Sequence, residues 1–228
     1  MSEGGQFTRL FSPLQVGGRT LRNRIALPAT LTNYGASNRI TPRWINFLAE
    51  RAKGRAGMVI TEILAVDPAA LAQGAIITAF DPANEEGFKA TAAEVEGQGA
   101  CLVGQLWHPG RQQLWSPIWS PKGISDQPDA YSWTVPHVMS TDELRQVADR
   151  YVDVAGRLKR CGFGGVSCMA RTVISSRKSF RHGQIEETIN MAALSTAASA
   201  LYGRSHKPSG KLAAGTSLLD SRCPVTKE

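Results

Sequence analysis

Residues 41–62 read TPRWINFLAERAKGRAGMVITE, and this stretch decides the fold class of the chain. Thr41 followed by Pro42 is typical of a helix start, because a threonine hydroxyl can cap the first N–H groups and proline has no N–H to satisfy. Gly54 marks the expected helix end. The apolar residues that share one face of this helix are Trp44, Ile45, Leu48 and Ala52. Residues 57–62, GMVITE, then indicate a buried strand.

The alternation of strand and helix continues on both sides of this stretch. Residues 24–28, RIALP, indicate an earlier short strand, and residues from about 84 to 96 indicate a second helix. The apolar run at 100–106, ACLVGQL, indicates a third strand. Buried strands that alternate with amphipathic helices predict a parallel α/β fold, in which ligands bind at the carboxyl ends of the strands.

A third helix is predicted after a long connection. Ser140 and Glu143 have the spacing of a capping box, in which each residue bonds the backbone N–H of the other. The apolar stripe of this helix consists of Leu144, Val147, Tyr151, Val154 and Leu158. Residues 164–166 then begin a fourth strand. The Trp- and Pro-rich loop from 107 to 139 exceeds the usual length of a connection, which favours a functional role for it.

Charge is distributed unevenly along the 228 residues. The chain carries 26 Lys+Arg and 19 Asp+Glu, for a net charge of +7. Up to Val166 there are 17 basic and 15 acidic residues, whereas the last 62 residues carry 9 and 4. Because the excess lies in the tail, which has no nucleic-acid-binding motif, we expect no nucleic-acid partner. No leader or membrane-spanning run is visible, so we expect a cytoplasmic protein without a membrane partner.

Four segments, in this order, resemble the old yellow enzyme family of NADH:flavin oxidoreductases, which are FMN-binding (β/α)₈ barrels. They read LFSPLQVGGRTLRNRIALPA, AERAKGRAGMVITE, GQLWHPGR and STDELRQVADRYVDVAGRLKRCGFGGV. The resemblance covers about the first half of the family's barrel. It implies that residues 1–166 form an α/β domain, the incomplete N-terminal half of a (β/α)₈ TIM barrel, and that residues 167–228 form an irregular, poorly ordered tail.

The same resemblance implies a flavin site at the strand ends. FMN would be the cofactor, NAD(P)H the reductant, and a small-molecule electron acceptor the substrate. The residues implied to contact FMN are Pro28, Ala29, Thr30, Leu31, Ile63 and Gln105. Gln105 suits the pyrimidine edge of the ring, because an amide offers both a donor and an acceptor. Tyr34 is expected either to line the substrate pocket or to serve ordinary packing.

No catalytic residue is predicted. The family's substrate-binding His pair falls at Met169 and Thr172, and its nearby Tyr falls at Ile174. A methionine donates no hydrogen bond and an isoleucine delivers no proton. His108, in the sequence WHPGR, has no partner ligands at metal-binding spacing, so we interpret it as structural and expect no metal site.

Two interpretations of function follow. The first is an FMN-dependent oxidoreductase by descent whose activity is impaired in this chain. The second is a non-catalytic half-barrel that self-associates through exposed sheet edges or acts as an interaction module.

Residues 167–194 lead to a hypothesis about the tail. They can be written with codons that, read one nucleotide earlier, spell the family's continuation, which begins E-L-H-G-A-H-G-Y-L. We therefore expect that the tail is an out-of-frame translation of an ancestral old yellow enzyme gene, or that a sequencing error gives it this appearance. Sequencing the gene across codon 166 tests this, and the hypothesis fails if no single-base shift restores the motif.

Overall fold

The computed structural model describes residues 7–71, 73–113, 120–129 and 133–169. Three α-helices lie within these ranges, at Pro42–Lys53 (α1), Glu85–Gly97 (α2) and Thr141–Arg160 (α3). The strands are Leu14–Val16 (β1), Arg19–Leu21 (β2), Ala26–Leu27 (β3), Met58–Ala65 (β4), Ile77–Thr78 (β5), Cys101–Trp107 (β6), Lys122–Gly123 (β7), His137–Val138 (β8) and Gly165–Met169 (β9). Short 3₁₀ helices occur at Pro68–Ala70, Pro82–Asn84 and Gly110–Gln112.

The centre of the fold is a parallel sheet in the order β3-β4-β6-β9, with β5 paired to the end of β4. The helices α1, α2 and α3 connect successive strands of this sheet in chain order, as parallel pairing requires. Their apolar faces pack on one side of the sheet in a single core. This is the predicted α/β architecture with a parallel sheet.

The predicted helix starts are confirmed. The Thr41 hydroxyl accepts the Trp44 N–H, and Pro42 is the first helical residue of α1. Ser140 and Glu143 form both bonds of the capping box at α3. The five apolar positions predicted as the stripe of α3 are all buried. None of the helices in the described part of the chain is long and apolar enough to cross a bilayer.

Three predicted element bounds are wrong. The first strand is only Ala26–Leu27. The N–H groups of Arg24 and Ile25 bond the Leu10 carbonyl and the Asn23 side chain, so only the Ile25 carbonyl takes part in backbone bonds toward β4. The second strand continues to Ala65, so that Ile63 lies within β4 and not beyond its end. The connection from 107 to 139 is not a plain loop, since it contains a 3₁₀ helix and the small parallel pair of β7 and β8.

An antiparallel hairpin of β1 and β2 covers the face of the sheet opposite the helices. Its residues Leu14, Val16 and Leu21 pack on four inward-facing residues near the amino ends of the strands. Those four are Met58, Ile60, Cys101 and Val103. The hairpin therefore closes the amino end of the half-barrel and leaves the carboxyl ends of the strands as the open side.

Arg22 ties this hairpin to two helices. Its guanidinium donates to the backbone carbonyls of Ala52 and Ala56 at the end of α1, at 2.7 and 2.8 Å, and to that of Gln98 after α2. Carbonyl groups at a helix end have no partner within the helix and carry partial negative charge, so a cation is favourable there. Arg22, the first arginine of the segment LRNR, therefore has a structural role, since it links the end of the hairpin to the ends of α1 and α2.

A β-bulge interrupts the pairing of β4 with β6. Ile60 pairs with Val103 and Ile63 with Gln105, so that two residues of β4 lie opposite the single residue Gly104. The Thr61 hydroxyl, which is fully buried, accepts the Gln105 N–H at 3.1 Å and donates to the Glu62 carbonyl at 2.8 Å. It thereby supplies the bonds that the interrupted ladder leaves open.

Gly104 lets helix α3 approach the backbone of β6 closely. A Cβ atom at this position would lie 2.5 Å from the Leu158 Cδ1 of α3, closer than real Cβ contacts occur. Helix α3 therefore packs directly on the backbone of β6 at the level of the bulge.

The bulge yields a prediction about stability. Replacing Thr61 by valine keeps the shape of the side chain but leaves the buried Gln105 N–H and Glu62 carbonyl without this hydroxyl, at an expected cost of roughly 2–4 kcal/mol. Thr61→Ser keeps the hydroxyl and loses one methyl group, for about 1 kcal/mol. Urea denaturation of both variants measures the difference. A valine variant as stable as the serine variant would show that the hydroxyl is not needed.

Candidate functional site

The carboxyl ends of β4, β6 and β9 bring three side chains into one row. Ile63 pairs with Gln105, and Gln105 pairs in turn with Ser167. All three are half-buried. The structure thus places two of the residues predicted to contact FMN next to each other on adjacent strands, although they are far apart in the chain.

Gln105 has hydrogen-bonding capacity to spare. Its backbone N–H is satisfied by Thr61, whereas its side-chain amide makes no hydrogen bond to any residue in the described ranges. A half-buried amide at the open end of a sheet is suited to a flat polar ligand, because it offers two donors and an acceptor. The residues present here therefore fit the pyrimidine edge of a flavin ring.

The loop that follows β3 lies beside this row. Pro28 and Thr30 are exposed, Ala29 is half-buried, and Leu31 is 51% exposed. The loop is anchored one residue further on, where Thr32 contacts the carboxylate of Glu62 in β4. The four predicted contact residues are thus held near the strand ends, with an apolar side chain facing outward at Leu31.

Glu62 is the residue of this region that the sequence analysis missed. It is 3% exposed and forms no ion pair with any described residue. Its carboxylate accepts the Thr32 N–H at 2.8 Å, the Thr32 hydroxyl at 2.7 Å and the Asn33 N–H at 3.3 Å. The available signal was a lone acidic residue within an otherwise apolar strand, since a buried charge needs dedicated partners.

Tyr34 packs on the outer side of α1. Its ring meets that of Phe47 edge to face, with 5.7 Å between the centroids, and the Arg43 guanidinium lies 4.0 Å above it. These contacts correspond to the packing role that the sequence left open. A role of Tyr34 in a substrate pocket stays a prediction.

His108 is completely buried after β6. Its Nδ1 accepts the Gly110 N–H at 3.0 Å, and its Nε2 has no partner within the described residues. Burial lowers the pKa of His108 from 6.5 to about 4, against the opposing effect of Asp67 and with smaller lowering effects of Lys122 and Arg150. No group of three or more possible metal-ligating side chains occurs in the part of the chain that is described.

Met169 ends β9 at the position where the family resemblance expects a substrate-binding histidine. It pairs with Trp107 and is 43% exposed. Its side chain is therefore partly exposed at the carboxyl end of β9, and its thioether has no hydrogen to donate. Thr172 and Ile174, the other two positions of this comparison, lie outside the described residues.

The family model described as NADH:flavin oxidoreductase / NADH oxidase matches residues 9–172. The chain belongs to this family. The match extends past Val166, and the structure continues β9 to Met169, so that the origin of the tail stays a prediction. The tail predicted to be irregular comprises residues 167–228, and its first three residues contradict this, because residues 167–169 belong to β9. The rest of the tail, from residue 170, lies outside the described ranges.

Sequence relatives agree with this assignment. The chain is 30% identical over 159 residues to the NADPH dehydrogenase of Bacillus pumilus. This match covers 68% of this chain and 46% of the dehydrogenase. The chain is 29% identical over 164 residues to the NADH oxidase of Thermoanaerobacter brockii, covering 70% of this chain and 25% of that protein. The chain thus spans less than half the length of these relatives.

Solved structures confirm the fold. Morphinone reductase in complex with tetrahydroNAD matches with a TM-score of 0.72 and 23% identity, over 85% of this chain and 61% of that one. An old yellow enzyme homologue from Zymomonas mobilis matches with a TM-score of 0.67 and 21% identity, over 85% and 60%. The parallel sheet β3-β4-β6-β9 therefore corresponds to part of the old yellow enzyme barrel.

The buried histidine predicts a dependence of stability on pH. Because the pKa of His108 is lower in the folded state than in the unfolded state, the unfolded chain binds more protons between pH 6.5 and about 4. The free energy of unfolding therefore carries no penalty from His108 above pH 6.5. It decreases as the pH falls toward 4, by on the order of 3 kcal/mol at the acidic limit.

Urea denaturation between pH 7 and 4.5 measures this loss. His108→Asn serves as the comparison, because the Asn Oδ1 can accept the Gly110 N–H and does not titrate. We expect a flatter pH dependence in this variant. Equal slopes in the two proteins would rule out His108 as the source.

Proposed function

We propose that this chain descends from an FMN-dependent NAD(P)H oxidoreductase of the old yellow enzyme type and retains one part of its flavin site. The observation that carries the proposal is the register of Ile63 with Gln105 at the open end of the sheet. Family membership makes FMN the expected ligand of this surface. The dehydrogenase and oxidase activities named for the relatives support the reaction class.

FMN would supply hydride transfer between NAD(P)H and an electron-poor acceptor, and the protein's task is to bind and orient it. In this chain the Gln105 amide would hold the polar edge of the ring, and Ile63 would provide apolar contact beside it. The loop 28–31 would cover the ring from the side of β3. None of these residues moves a proton in the reaction.

Binding of FMN is proposed to be weak in the 228-residue chain. The resemblance assigns the phosphate-binding segments of the family to the second half of the barrel, beyond the region that the relatives share with this chain. A phosphate held by backbone N–H groups and arginine normally contributes much of the affinity for a nucleotide-like cofactor.

A second candidate is a non-catalytic half-barrel. Met169 supports it, because the family's hydrogen-bond donor to the substrate is replaced there by a half-exposed thioether. The outer edges of β3 and β9 pair with no strand in the described residues, which favours association of copies through these edges. This candidate requires no flavin and no electron acceptor.

The two candidates differ in the expected behaviour of Gln105. If the flavin site is retained, Gln105→Leu removes the amide from the ring edge and should weaken FMN binding by about tenfold, the equivalent of one or two hydrogen bonds. Titration of the purified chain with FMN, followed by quenching of flavin fluorescence, measures the affinity. We expect the wild-type protein to be nearly colourless as isolated.

Gln98→Leu is the matched control, because Gln98 is exposed in the turn between α2 and the amino end of β6, away from Gln105. Its affinity for FMN should equal that of the wild-type chain. Equal weakening in both variants would contradict the assignment of Gln105. A protein isolated with stoichiometric flavin would contradict weak binding, and a wild-type chain that binds no FMN would favour the non-catalytic half-barrel.

A further inference from the structure

We infer that Glu62 is a positioning residue that sets the conformation of the loop 30–34, and this inference rests on the proposed function for its relevance to FMN. The carboxylate lies on β4, directly before Ile63, while the loop it contacts follows β3. One buried side chain thereby links the two chain segments that border the proposed flavin surface.

The hydrogen bonds converge on one carboxylate. Its Oε2 accepts the N–H groups of Thr32 and Asn33, and its Oε1 accepts the Thr32 hydroxyl. The same hydroxyl accepts the Tyr34 N–H at 3.2 Å. Bonds to a carboxylate are stronger than those between neutral groups, so this set is a strong local constraint on residues 32 and 33.

The backbone of the loop needs such an anchor. Asn33 adopts a left-handed conformation with φ of 56°, a region that asparagine enters more readily than most residues but less readily than glycine. The Asn33 N–H is held by Glu62, and its side chain accepts from Gln73 at 3.3 Å. A turn of this kind persists where surrounding contacts determine it, so the direction of residues 30 and 31 depends on Glu62.

The bulge in β4 includes Glu62. Thr61 and Glu62 together lie opposite the single residue Gly104, so the regular alternation of side chains along β4 is interrupted at Glu62. Two residues at the irregularity have a defined partner. Ile63 pairs with Gln105, and the Glu62 carboxylate accepts hydrogen bonds from Thr32.

Hydrogen exchange in the absence of FMN tests this inference. Glu62→Met keeps the length of the side chain and removes all three acceptor contacts, so we expect amide exchange in residues 30–34 to become at least about tenfold faster. Glu62→Gln should stay within about threefold of wild type, because its amide oxygen can accept the two backbone N–H groups while its NH₂ donates to the Thr32 hydroxyl.

Val154→Ala controls for a general loss of stability, since Val154 lies in the core face of α3 away from the loop. If Val154→Ala accelerates exchange in 30–34 as much as Glu62→Met does, or if Glu62→Met has no effect, the inference is overturned. Should Glu62→Met fail to fold, Thr32→Val removes only the hydroxyl contact and should produce a smaller acceleration confined to the same residues.

FMN titration of the same variants separates this inference from the proposed function. We expect Glu62→Met to bind FMN about tenfold more weakly than wild type and Glu62→Gln to bind it nearly as well. Equal affinities of Glu62→Met and wild type would overturn the role of Glu62 toward FMN. A wild-type chain without any affinity for FMN would overturn the proposed function, and the exchange result would then decide the structural role alone.

Discussion

The hydroxyl of Thr61 is the interaction on which the open end of this sheet depends. Parallel strands hold their register through regular backbone bonds, and an extra residue in one strand normally leaves polar groups unpaired. Here the hydroxyl satisfies both the Gln105 N–H and the Glu62 carbonyl within the core. Pairing resumes beyond the bulge, and β4 continues to Ala65. A side-chain hydroxyl thus takes the place of a backbone hydrogen-bond partner at the bulge. The positions of Ile63, Gln105 and Glu62 follow from this replacement.

The two ends of the half-barrel have different physical characters. At the amino end, the hairpin buries apolar side chains, and Arg22 binds the carbonyl ends of two helices. Glu96 adds a further link, since it accepts both the Leu102 N–H and the guanidinium of Arg19. At the carboxyl end, Gln105 and Met169 remain open to solvent or ligand. Apolar burial and contacts to helix ends are thus concentrated at the amino end. At the carboxyl end, the Gln105 amide keeps hydrogen-bonding groups without a partner among the described residues.

Local features of the fold could be predicted from the sequence, because caps and helical stripes depend on residues a few positions apart. The capping box at Ser140 and the buried stripe of α3 are examples. The bulge could not be predicted, because it is a property of the register between two strands, and Thr61 and Gln105 are 44 residues apart in the chain. The contacts of Glu62 with the loop could not be predicted for the same reason, while Ile63 and Gln105 were predicted as flavin contacts through the family resemblance.

The anchoring of residues 32 and 33 by Glu62 also bears on the order of folding. The partners are separated by 30 residues along the chain, a span that includes the whole of α1. Closing so long a segment costs chain entropy that only the formation of β4 and its neighbours can offset. We therefore expect the loop to acquire its shape late, after the sheet has collapsed, so that a nascent chain would present no organised ligand surface until the second strand of the barrel is in place.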